Sequence, residues 1–125
     1  MRAEYLDVVC VPVRDMERSK SFYTEVMGFR VVRDVRGGPT HHRWVEVGPE
    51  GAQTTIALVD PHLGMTFRPI EGLVLKVSDL NEYRSHLKHH GLRPKEITEE
   101  TWGSHLSVDD PDGNKWILVD HQITG

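Results

Sequence analysis

The chain states one pattern twice. Val13-Arg14-Asp15-Met16 opens a stretch that closes at Gly28-Phe29, and Val77-Ser78-Asp79-Leu80 opens another that closes at Gly91-Leu92. The two aspartates stand 79 − 15 = 64 positions apart in a chain of 125 residues. Each half reads as an apolar strand ending in Val, an Asp-capped amphipathic helix, a Gly, and a further run of strands. Two copies of one unit restrict the chain to folds built from equivalent modules, and such folds commonly bind ligands between the copies.

The elements follow from residue type and period. Residues 5–13 are mostly apolar and rich in β-branched valine, which predicts a buried strand, with Pro12 marking an edge or an end. Asp15 is suited to cap a helix because its carboxylate can accept a first-turn N–H. Met16, Ser19, Phe22, Tyr23, Val26 and Met27 then fall on one helical stripe, and Gly28 stands at the C-cap. Strands are expected over residues 29–35, 42–47 and 54–59, with a turn at Gly37-Gly38-Pro39.

In the second half, residues 72–77 predict a strand. Asp79 with Glu82 forms a capping-box variant, Leu80, Tyr83 and Leu87 supply the apolar stripe, and Gly91 ends the helix. Strands are expected over 92–98, 104–108 and 115–120. The run Asp109-Asp110-Pro111-Asp112-Gly113-Asn114 is a turn. The order is βαβββ, repeated: an α+β chain in a single domain of two modules, about residues 1–60 and 70–125, joined through 60–69 with Pro61, Gly64 and Pro69 as breakers.

Charge and cysteine usage remove several classes of function. A net charge of −4 offers no basic field for nucleic acid or an anionic membrane surface. No apolar run approaches the roughly 20 residues that span a bilayer, and the first residues lack a signal-peptide core. Cys10 is the single cysteine, so no intrachain disulfide forms and a cytoplasmic location is the simplest expectation. There is no Gly-x-Ser-x-Gly elbow, Walker loop or Gly-x-Gly-x-x-Gly.

Three runs together resemble the vicinal oxygen chelate superfamily, which contains glyoxalase I, bleomycin-resistance proteins, fosfomycin-resistance enzymes and extradiol dioxygenases. They are residues 13–23 (Val13 through Tyr23) with Met27-Gly28-Phe29, the paired Val77-Ser78-Asp79-Leu80, and Asp110 through Trp116. The resemblance spans essentially the whole chain. It implies two tandem βαβββ modules forming a cupped mixed sheet, assembled as a homodimer with sites between modules.

Metal-dependent members of that superfamily hold a divalent ion with His, Glu or Gln on four strands. Those four positions fall here on Val8, Ala57, Gly72 and Ile117, none of which can ligate through its side chain. A slip of one residue would bring Asp7 or Glu71 to two of them, but in a strand it also turns the side chain to the opposite face. The expectation is therefore a protein with no metal and no cofactor.

The histidines are His41, His42, His62, His86, His89, His90, His105 and His121. His86 and His90 share a helix face, yet histidines near a helix C-terminus are favoured by the dipole and face solvent. His41 and His42 begin a strand and point to opposite faces. His105 lies between Trp102 and Leu106, on a strand where family members place ligand-contacting groups. Strand alternation with the family positions puts Leu6, Val8 and Cys10, Thr55, Ala57 and Val59, Gly72, Val74 and Lys76, and Lys115, Ile117 and Val119 on the cavity side. The pocket candidates are Val8, Cys10, His42, Trp44, Ala57, Phe67, Gly72, Trp102, His105 and Ile117. Cys10 reads as a small hydrophobe, Trp116 as core, and Glu46 and Glu50 as a solvated face.

Three readings follow. The first is a metal-free binder of a small organic molecule in an apolar cleft of a homodimer, resembling the bleomycin-resistance branch. The alternative is a glyoxalase-like lyase or isomerase, or a dioxygenase, working through His42, His105 or Glu46. A dimeric interaction domain with a collapsed cavity is the third.

Overall fold

The computed structural model describes residues 1–37, 42–60 and 67–121, with the backbone alone at Gly37 and His42. The turn expected at Gly37-Gly38-Pro39, His41, the side chain of His42, and His62 with the breakers Pro61 and Gly64 fall outside the described residues. The chain divides into two compact units, Met1–Pro69 and Ile70–Gly125.

The first unit runs β1 (Val8–Pro12), α1 (Met16–Ser21) continued by a π-helical turn over Phe22–Val26, β2 (Arg30–Gly37), β3 (His42–Gly48) and β4 (Thr55–Val59). Its sheet has the order β1-β4-β3-β2. β1 and β4 are parallel, with Val8 beside Thr55 and Cys10 beside Ala57, and the remaining pairs are antiparallel. Asp15 caps α1 by accepting the Arg18 N–H at 3.1 Å. The π turn closes where the Met27 N–H donates to the Phe22 carbonyl at 3.0 Å. That extra residue per turn turns Phe22, Tyr23 and Met27 inward onto Val11, Val13, Val45, Val47, Ile56 and Leu58, which form the core of this unit.

An ion network ties the helix to the strands. Arg43 grips Asp34 through Nε and Nη2 at 2.9 and 2.8 Å, Lys20 reaches the same carboxylate at 2.8 Å, and Arg43 also meets Glu17. The Arg43 bonds first, and then Lys20, hold the Asp34 carboxyl well below the usual carboxylate range.

The second unit repeats the plan with β5 (Leu73–Lys76), α2 (Leu80–His89), β6 (Thr98–Glu100), β7 (Gly103–Asp109) and β8 (Lys115–Val119) in the order β5-β8-β7-β6. β5 and β8 are parallel, as β1 and β4 are. Asp79 accepts the Glu82 N–H at 3.0 Å. Gly91 takes φ +82°, matching Gly28 at +78°, so each helix stops on a left-handed glycine. Leu80, Leu87, Leu106, Val108, Trp116 and Leu118 form the core.

The Asp-Pro-Asp-Gly-Asn turn is a structural tie. Asp110 Oδ1 accepts the N–H groups of Asp112 and Asn114 at 2.9 and 2.8 Å, and Oδ2 accepts the Asn114 amide at 2.7 Å. Asn114 is fully buried, and its Oδ1 takes the Ile70 N–H at 2.9 Å, joining the start of β8 to the approach to β5.

β6 corrects the sequence expectation. A strand was expected over 92–98, but pairing begins only at Thr98 and extends to Glu100. Pro94 lies in the middle of the expected strand, and proline has no N–H to give to a ladder.

Candidate functional site

Successive side chains on each strand point to opposite faces of its sheet, and the set turned away from the helix is the open face, although β4 is buried on both faces. On β1 the open positions are Val8, Cys10 and Pro12, while Val11 is buried. Register carries the face across the first sheet in one row: Cys10 beside Ala57, Ala57 beside Glu46, Glu46 beside Arg33. Cys10 is a free, exposed thiol, and Ala57 is fully buried beside it.

Glu46 is the chemical centre of this row, and here the expectation of a solvated face is corrected. Its side chain is only 13% exposed. Oε1 accepts the Trp44 indole N–H at 2.7 Å, and Oε2 accepts the Thr55 hydroxyl at 3.2 Å. Arg33 stands at 3.9 Å, too far for more than a weak, largely exposed pair. A carboxylate fixed from both sides by neutral donors, on a face of small apolar residues, is an oriented hydrogen-bond acceptor with lone pairs to spare. Trp44 was expected in the pocket and Glu46 at solvent, whereas their two-residue spacing on β3 sets them on one face. Glu50 remains at the surface, 3.4 Å from Arg30.

Phe67 does not stand as an open aromatic wall. The Arg14 guanidinium lies 3.7 Å above its ring centroid, so one ring face is covered by a cation.

The open face of the second unit carries Val74 beside Ile117 and Ile117 beside Ser107, then Lys76 beside Val119. Val74 is 51% exposed. His105 lies on β7 opposite Thr98 and stacks on Trp102, with ring centroids 5.0 Å apart and planes at 11°. Its Nε2 is 3.5 Å from Glu100 Oε1, and its Nδ1 is buried with no hydrogen-bond partner among the described residues. His121 is the second such ring: Nδ1 meets Asp120 at 3.2 Å, while Nε2 is buried with no hydrogen-bond partner among the described residues and is turned onto Gly103. The Leu80 N–H, followed by His121, lowers the Asp120 carboxyl from its ordinary value. His86, His89 and His90 are exposed on α2, in line with a solvated helix end.

The family's ion does not fit these residues. Val8, Ala57, Gly72 and Ile117 supply no lone-pair donor, and among the described residues no three His, Cys, Asp or Glu side chains gather to hold a metal ion. Asp7 and Glu71, the one-residue alternatives, are both exposed. Gly72, at φ +91°, and Ile117 instead line a cavity at one end of the second unit.

Among known proteins, the model of the Glyoxalase/Bleomycin resistance protein/Dioxygenase superfamily matches residues 5–118. TnmS3, an antibiotic binding protein from Streptomyces sp. CB03234, is 33% identical with a TM-score of 0.88, covering 98% of this chain and 99% of its own. A superfamily member from Sphaerobacter thermophilus DSM 20745 is 31% identical with a TM-score of 0.86, covering 95% and 98%. YetH of Bacillus subtilis (strain 168), an uncharacterized protein, is 28% identical over 115 residues, 90% of this chain and 95% of its own.

Proposed function

The chain belongs to the Glyoxalase/Bleomycin resistance protein/Dioxygenase superfamily, and from that premise we propose that it is a metal-free binder of a small organic molecule, acting as a cytoplasmic homodimer with an apolar cleft. The observation that carries this reading is the exchange of donors for hydrocarbon on the open faces. Val8, Ala57, Gly72 and Ile117 replace the side chains that would hold an ion, and Glu46 stands beside Ala57 as an anchored acceptor. Apolar walls with one or two placed polar groups are the usual make-up of a small-molecule site. The antibiotic binding protein TnmS3, similar to this chain over nearly its full length, supports the same class of ligand.

In this reading Val8 and Cys10 give the ligand an apolar surface over the buried Ala57, Trp44 gives it an aromatic edge, and Glu46 takes a hydroxyl or ammonium hydrogen from it. The test combines metal analysis of the purified protein with titration of bleomycin and a panel of flat aromatic antibiotics, followed by Trp fluorescence and calorimetry. Saturable binding by metal-poor protein, weakened in Glu46→Leu, is the expected result. Stoichiometric nickel, zinc, iron or manganese that tracks an activity would sink the proposal.

One observation favours a second reading, an enzyme of the same fold: the buried, unpartnered Nδ1 of His105, held by the Trp102 stack. That reading expects His105→Ala to abolish turnover of a thiol adduct or a catechol without loss of fold. Full turnover in His105→Ala removes it.

A further inference from the structure

The two units differ at their edge strands, and that difference opens the cavity. In the first, β2 has eight residues and pairs along β3 from Arg30 beside Gly48 to Gly37 beside His42. In the second, β6 has three residues and pairs with β7 only between Thr98, beside His105, and Glu100, beside Gly103. Counted from the equivalent stops Gly28 and Gly91, the position of Val31, which pairs with Val47, is Pro94.

The segment before β6 is also held elsewhere. Arg84 on α2 donates through Nε to the Lys95 carbonyl at 2.9 Å and through Nη2 to the Pro94 carbonyl at 3.4 Å, and it pairs with Glu96 at 3.0 Å. Those carbonyls therefore face the helix rather than β7. Among the described residues, the β7 edge from Leu106 to Asp109 is left without a strand on that side.

Between this segment and β7 lies a cavity of about 830 Å³, within the size range of small-molecule sites. Leu92, Pro94 and Ile117 give it an accessible apolar lining, beneath which Leu87 and Trp116 are buried in the core. Its charged lining is sorted by pairing. Lys115 neutralises Asp109 at 3.2 Å, and Glu71 is the remaining acid. Arg93 and Lys95 also line it, and neither side chain has an ion-pair partner among the described residues.

We propose that this slot, which includes Gly72 and Ile117 but not the Glu46 face, is a second ligand site that takes an anionic amphiphile: an apolar chain or ring system ending in a carboxylate or sulfonate. The apolar body lies along Leu92, Pro94 and Ile117, where its burial supplies most of the affinity. The anionic end meets Arg93 and Lys95 at the mouth, which sets the sign of charge the site accepts.

Dodecanoate is the probe and dodecyltrimethylammonium its opposite-charge control, titrated into the whole protein by calorimetry and followed by amide and indole NMR. Expected are saturable dodecanoate binding and shifts centred on Ser107, Asp109 and the Trp116 indole. Dodecanoate affinity should fall about tenfold in R93E/K95E, with little binding of the cationic probe. Both substitutions are at exposed side chains, and an unchanged circular dichroism spectrum confirms the fold. Shifts confined to the Glu46 face, equal binding by R93E/K95E, or equal binding of the cationic probe each overturn the proposal.

Discussion

The Trp44 indole donates its Nε1–H to Glu46 Oε1 at 2.7 Å, two residues further along the same strand. Because the two side chains share a face, the bond fixes the indole edge and the carboxylate against each other, and Thr55 secures the second oxygen. The carboxylate is thereby oriented before any ligand arrives, which lowers the ordering cost of binding.

Glu46→Ala leaves the Trp44 N–H and the Thr55 hydroxyl without their acceptor. An expected loss of about 1–2 kcal/mol of unfolding free energy follows from leaving half-buried donors unpaired. Glu46→Gln, which keeps an acceptor without the charge, should lose less. Urea denaturation measures both, and an alanine variant as stable as the parent would mean that the carboxylate is held by water rather than by Trp44 and Thr55.

Asn114 is fully buried and joins Asp110 to Ile70. Asn114→Ala should cost about 3 kcal/mol, since it strips two buried partners at once. Asn114→Asp sets a second carboxylate against Asp110, so it should be the worse variant at neutral pH and should recover in acid as the pair takes up a proton. Amide exchange at Ile70 reports the lost bond directly. Protection there unchanged in Asn114→Ala would remove the tie from the account of this fold.

Gly103 has φ +135°, and a Cβ placed on it would lie 1.7 Å from His121 Nε2. Gly103→Ala must therefore displace the imidazole and also strain the backbone, an expected loss of about 2–3 kcal/mol. In G103A/H121A the steric part disappears and the backbone part stays. The double variant should thus recover some stability relative to Gly103→Ala once the cost of His121→Ala alone is subtracted. Strict additivity in this cycle would show that the two residues do not meet.

Burial pushes the Tyr83 phenol up to about 12 from an ordinary 10.0. A group whose pKa rises on folding contributes stability that is complete below its unfolded value and lost as pH climbs through its folded value. Unfolding free energy should therefore decline between about pH 10 and pH 12, and Tyr83→Phe should flatten that part of the profile. An equally steep alkaline decline in Tyr83→Phe would assign the loss to other groups.

Local chemistry was legible in the chain. Asp15 and Asp79 cap their helices, Gly28 and Gly91 stop them at positive φ, and Trp116 enters the core as its place in the strand implies. Each of these depends on neighbours within a few residues, so period and residue type suffice. The chemical character of Val8, Ala57, Gly72 and Ile117 was equally plain, because a side chain without a lone pair has none in any fold.

The candidate site was legible only in outline. Trp44 and Ala57 were expected in the pocket but Glu46 at solvent, because the burial of Glu46 depends on Thr55 arriving from the neighbouring strand. The early failure of β6 combines a local cause, Pro94, with a distant one, Arg84 ten to twelve residues back along α2. The sequence by itself determined the doubled βαβββ plan, its caps and stops, and the loss of the ion's donors. Tertiary structure alone decided which carboxylate is anchored and, through Arg84, where the segment beside Pro94 is held, since both depend on partners brought together from separate strands and helices, and such contacts leave no local trace in residue order.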